Sequence, residues 1–167
     1  FPFVEGEISR SDFSEIVEKT YGVFDIEDVV NLVELEKNQW VLELFHGPTL
    51  AFKDVAMQLL GALLDYFSKK QGKRIAVLGA TSGDTGAAAI SACARYSNVD
   101  VFILYPHERV TEVQRRQMTT SQAENVHALA VETDFDGCQA MVKDMFLDGS
   151  MNKSLTRNEN WFGYYWS

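Results

Sequence analysis

"RIAVLGATSGDTGAAAISACARYSNVDVFILYP" occupies residues 74–106. After Arg74 it runs apolar to Ala80, breaks into a loop of Thr, Ser, Gly and Asp, passes through small residues, and ends in a second apolar run, "VDVFILYP". Strands buried on both faces read as near-continuous apolar runs, which is the pattern of a parallel sheet. A strand, a helix and a second strand at this spacing predict a right-handed βαβ unit.

Outward from this unit the rhythm repeats. "TEVQRRQMTTS" (111–121) predicts a helix, "NVHALAVE" (125–132) a strand, and "DFDGCQAMVKDMF" (134–146) another helix. The fold class is therefore α/β, a three-layer sandwich with a mostly parallel sheet. Upstream, "SRSDFSEIVEKTYGVF" (9–24) predicts a short amphipathic helix capped by Ser9 or Ser11. "VVNLVELEKNQWVLELF" (29–45) predicts a hairpin turning at Lys37-Asn38. "DVAMQLLGALLDYFSKK" (54–70) predicts a longer helix, with Asp54 as its cap and Lys69 and Lys70 at the end that favours cations. Three regions follow: residues 1–45, a helix and hairpin; 46–148, the α/β domain; and 149–167, a polar stretch that turns abruptly aromatic at Trp161. A tail that aromatic is expected to pack back on the domain or to begin a further part.

The composition narrows the function. The chain has 167 residues, 46% hydrophobic and 23% charged, with a net charge of −9. That charge argues against a sequence-independent grip on nucleic acid, which needs clustered Lys and Arg. No apolar run is long enough to span a bilayer, so no membrane partner is expected. The N-terminal residues lack the basic start and apolar run of a signal peptide. Cys93 and Cys138 are far apart with no CxxC spacing, and read as buried thiols in a reducing, cytoplasmic setting. Three histidines without an HxxxH pattern offer no metal site.

The loop "GATSGDTGAAA" (79–89) follows a strand and opens a helix. Gly83 and Gly86 allow a tight turn and close approach of backbone to a ligand. Amides at a helix start form an anion site, and Thr81, Ser82 and Thr85 add hydroxyls. A P-loop would need a lysine after the last glycine, and a dinucleotide fingerprint would need glycine where Thr81 stands. A carboxylate- or phosphate-sized anion remains. The alternative is that the glycines serve close helix–sheet packing, which would not require the three hydroxyls.

"LFHGPTLAFKD" (44–54) sets Lys53 beside Leu50, Ala51 and Phe52 after a turn. An apolar setting disfavours the charged amine, and a neutral lysine condenses with carbonyls. Taken alone, a helix-edge lysine covering apolar surface with its stem explains the residue as well. An anion loop about thirty residues later favours a Schiff-base lysine, for which pyridoxal phosphate is the common carbonyl cofactor.

Together, "LFHGPTLAFKD" and "ATSGDTGAAA" resemble threonine synthases, pyridoxal-phosphate enzymes of the tryptophan-synthase-β-like fold. The similarity runs through most of residues 40–147, including "VFILYPHERVTEVQRRQM". The resemblance implies a cytoplasmic carbon–oxygen lyase acting on a phosphate, which converts O-phospho-L-homoserine and water to L-threonine and phosphate in the last step of threonine biosynthesis. It implies that Lys53 carries the cofactor as a Schiff base, with Phe52 and Asp84 beside the cofactor. It also implies that Thr81, Ser82, Gly83, Asp84 and Thr85 surround the substrate carboxylate. Asp84 stands where many relatives outside this family carry Asn; an ionised aspartate cannot donate to the cofactor's phenolic oxygen, and its role stays open. His46 is expected to line the site or to bond backbone in the turn, and Phe52 to pack beneath the lysine. A homo-oligomer stays open.

The family holds the cofactor phosphate in a later glycine-rich loop resembling GNFG, which does not follow residue 147. The resemblance is therefore to the first catalytic half, and the fold is expected to be incomplete on its C-terminal side, with an apolar sheet face left uncovered. A non-catalytic fragment or degenerate homologue serving as a binding module is the competing reading. Another pyridoxal-phosphate lyase, such as a serine or threonine dehydratase, is a third; the tract "HGPTLAFKD" speaks against it.

Overall fold

A computed structural model describes residues 1–149 in full and, for 161–166, the strand they form. A four-stranded parallel sheet carries the molecule, in the order β5-β4-β3-β6. Its members are β3 (Arg74–Ala80), β4 (Val99–Pro106), β5 (Val126–Val131) and β6 (Trp161–Trp166). The aromatic stretch thus returns to the domain, as the neighbour of β3.

Alternation along β3 and β4 feeds two cores. Ile75, Val77, Val101 and Ile103 face one side, against α2 (Lys53–Gln71), α3 (Asp84–Cys93) and α4 (Glu112–Thr119). Leu78, Ala80 and Leu104 face the other, against Cys138 and Val142 of α5 (Phe135–Leu147). Helices on both faces make the three expected layers, and both faces of the central strands β3 and β4 are covered. Small residues set the spacing between α2 and α3. A Cβ on Gly61 would stand 3.0 Å from the Ala92 carbonyl oxygen, and Ala88, Ala89 and Ala92 are fully buried.

Ahead of the sheet, α1 (Arg10–Tyr21) is capped by Ser9, whose hydroxyl accepts from the Asp12 amide at 3.1 Å. It packs on α2, and Tyr21 donates to the Val55 carbonyl at 2.9 Å. The antiparallel pair β1 (Asn31–Glu36) and β2 (Gln39–Glu43) turns at Lys37-Asn38, with Asn38 at φ 65°. This hairpin stands apart from the main sheet, and Leu32, Leu35, Trp40 and Leu42 are each more than half exposed. Among the described residues no helix is long and apolar enough to cross a membrane.

Candidate functional site

Lys53 begins α2, directly after a turn closed by Leu50 N–H donating to the Gly47 carbonyl at 3.0 Å. Asp54 does not cap this helix. Its carboxylate is fully buried and turns back into the turn, accepting from the Thr49 amide at 2.7 Å and the Thr49 hydroxyl at 2.9 Å. The helix has already begun at Lys53, so Asp54 lies inside the first turn, and the side chain reaches the preceding turn instead of the helix amides. A Cβ at Gly47 would come within 2.6 Å of Asp54 Oδ2, so only glycine leaves room for this carboxylate. The turn is pinned from inside, and Lys53 leaves it in a set direction.

Phe52 is 56% exposed, with Lys53 Nζ 4.5 Å from its ring centroid. The ring stacks against Nζ from outside rather than forming a buried floor. His46 neither lines the site nor hydrogen-bonds backbone through its ring. Its Nε2 meets Glu43 Oε2 at 2.9 Å, and its carbonyl accepts from the Asp25 amide at 2.9 Å.

The glycine loop follows β3 at its carboxyl end, where ligands sit in open α/β sheets. Thr81 is buried, and its Oγ1 accepts from the amides of Gly83 at 3.0 Å and Gly86 at 2.9 Å. That hydroxyl shapes the loop from within. Gly83 adopts φ 150°, ψ −90°, which a side chain disfavours, and a Cβ there would overlap the Gln114 carboxamide. Ser82 is exposed and Thr85 half-buried, while the first-turn amides of Asp84 and Thr85 have no acceptor within the helix.

These two segments meet. A cavity of about 430 Å³ is lined by Lys53, Ala56, Met57 and Leu60 of α2, by Ala80, Thr81, Ser82 and Thr85 of the loop, and by Phe135 of α5. Its lining combines a lysine, the hydroxyl-bearing residues of a helix N-terminus and apolar side chains. Such an arrangement suits a flat apolar ring bearing a carbonyl, next to a small anion. Phe52, Gly83 and Asp84 lie outside the lining. Asp84 instead accepts from Gln114 Nε2 at 2.7 Å.

The wall residues were within reach of the sequence. Ala56, Met57 and Leu60 fall three, four and seven positions after Lys53, which is one helix face. Phe135 comes from a distant helix and had no such signal. Both cysteines are buried free thiols, as expected. Burial pushes the Cys93 thiol up to about 12 and raises Cys138 as well. Among the described residues no group of His, Cys, Asp and Glu could hold a metal ion.

Residues 24–165 match the family model described as pyridoxal-phosphate dependent enzyme. The chain is 60% identical over 147 residues to a threonine synthase from Pseudomonas aeruginosa, covering 88% of this chain and 31% of the relative. It is 44% identical over 165 residues to a threonine synthase from Eremothecium gossypii, covering 92% and 32% respectively. A crystal structure of a PLP-bound threonine synthase from Brucella melitensis superposes with a TM-score of 0.86 at 50% identity, covering 98% of this chain and 34% of that one. The chain spans about a third of the length of the curated relatives it matches.

Proposed function

This chain belongs to the pyridoxal-phosphate dependent enzymes, and from that premise we propose that it forms the lysine-bearing part of a threonine synthase acting on O-phospho-L-homoserine and water. The observation that carries the reading is the shared cavity: Lys53 and the hydroxyls of Ser82 and Thr85 line the same space. The identity to threonine synthases across 88% of the chain supports the choice within the family.

The residues present fit the cofactor. Ala56, Met57, Leu60 and Phe135 supply apolar walls for an aromatic ring, and Lys53 supplies the amine for its aldehyde. When bound, pyridoxal phosphate supplies an electron sink for carbanions at the substrate carbons. Lys53 is the residue to which we assign its attachment. The turn held by Asp54 orients that amine toward the cavity, and once free its Nζ is placed to take and return protons. Ser82, Thr85 and the first-turn amides of α3 bind the substrate carboxylate, supported by the helix dipole behind them. The two buried thiols support a cytoplasmic setting.

Borohydride reduction of the native, cofactor-loaded protein, followed by peptide mapping, tests the assignment. The label is expected on Lys53, with Lys53→Ala abolishing phosphate release from phosphohomoserine. A label on Lys69, Lys70 or Lys73 would overturn it.

A further inference from the structure

We propose that α4 is a two-point brace setting the position of the glycine loop relative to the lysine turn, with Gln114 and Gln117 as its positioning residues. The inference rests on the functional reading above, for it concerns the two segments that line the cavity. Gln114 Nε2 donates to Asp84 Oδ1 at 2.7 Å, and its carboxamide packs where a Cβ of Gly83 would stand. Three residues on, along the same face of α4, Gln117 Nε2 donates to the Thr49 carbonyl at 3.0 Å. Thr49 is the residue that Asp54 grips beside Lys53. One short helix thus holds the anion loop with one glutamine and the lysine turn with the other.

Both ends of the Gln114 amide are committed. Its oxygen accepts from the Thr111 amide at 3.0 Å, as half of a capping box in which the Thr111 hydroxyl accepts from the Gln114 amide at 3.3 Å. Its nitrogen must therefore face Asp84, and a carboxylate is the acceptor that suits it. This accounts for an aspartate at position 84: it receives the brace. Met118 is 1% exposed and seats the helix in the core, so the brace has a rigid base.

The arrangement gives a selective test. Glutamate serves a capping box as well as glutamine does, so Gln114→Glu keeps the cap while setting a carboxylate against Asp84. In the native protein, amide hydrogen exchange of Gly83 and Gly86, whose N–H groups donate to Thr81, is expected to quicken by about fivefold or more, as the loss of a charge-assisted bond allows. Exchange in β4 should quicken less than exchange in the loop. The KM for phosphohomoserine should rise with kcat held. Adding Asp84→Asn to Gln114→Glu re-creates an amide–carboxylate pair with its ends exchanged and should restore slow exchange. Gln117→Ala should quicken exchange at residues 47–52 instead. Unchanged exchange in Gln114→Glu, or no recovery on adding Asp84→Asn, would overturn the brace. The exchange readings are made without cofactor as well as with it, so they decide the brace even if the parent protein releases no phosphate and the functional reading fails.

Discussion

Lys53 is placed by its neighbour in the chain. Asp54 is fully buried, and among the described residues its carboxylate accepts from Thr49. Removing that carboxylate leaves the Thr49 amide and hydroxyl without an acceptor in a buried turn. Asp54→Ala should cost about 2–4 kcal/mol in urea unfolding, as expected when hydrogen bonds to a buried charge are lost; a loss below roughly 0.5 kcal/mol would show that the turn is held otherwise. The site hydroxyls divide by role. Thr81 is spent on the loop's own amides, whereas Ser82 and Thr85 face the cavity. Ser82→Ala or Thr85→Ala should therefore raise the KM for phosphohomoserine by about tenfold, the loss of one bond to a charged ligand, with little change in cofactor affinity. Loss of cofactor at unchanged substrate affinity would reassign the loop to the cofactor's phosphate. From the sequence alone Asp54 reads as a cap, because acidic residues at helix starts most often are. What defeats that reading is a difference of one residue in where the helix begins.

At the scale of elements, small residues decide how closely α2 and α3 approach. Gly61 faces the Ala92 carbonyl at a distance a larger side chain cannot share. Both helices bear on the site, α2 through Lys53 and α3 through the glycine loop. Gly61→Val should push them apart and destabilise the protein by about 1–3 kcal/mol, the usual cost of overpacking, measured by thermal melting. Equal stability would mean that the helices yield without loss. The strands of "RIAVLGA" and "VDVFILYP" and the capped helix α1 were legible, because burial on two faces and a side-chain cap leave local marks. The reach of Gln114 to Asp84, thirty residues away, leaves none.

At the scale of the molecule, the hairpin and the lysine turn carry several exposed apolar side chains among the described residues. Trp40, Phe45, Leu50 and Phe52 are each more than half exposed, along with Leu32 and Leu35. Exposed apolar side chains in such number favour association. A polypeptide of these 167 residues alone should self-associate, as seen by light scattering, hold pyridoxal phosphate weakly, and release no phosphate from phosphohomoserine. A soluble monomer that turns over robustly would contradict this. Aspartate or lysine at Leu35 and Trp40 together should reduce the association, since charge on an exposed edge opposes pairing.

The sequence by itself determined the elements from α1 to α5, their order, the parallel sheet and the two segments that carry chemistry. Each of these rests on local pattern: apolar runs, caps, and a glycine loop after a strand. The tertiary structure alone decided that Lys53 and Ser82 share one cavity, that Phe135 closes it, that Asp84 faces Gln114, and that residues 161–166 lie beside β3. These depend on which distant surfaces meet when the sheet buries its two faces. The register of that packing is a property of the whole core, and no single stretch of the chain encodes it.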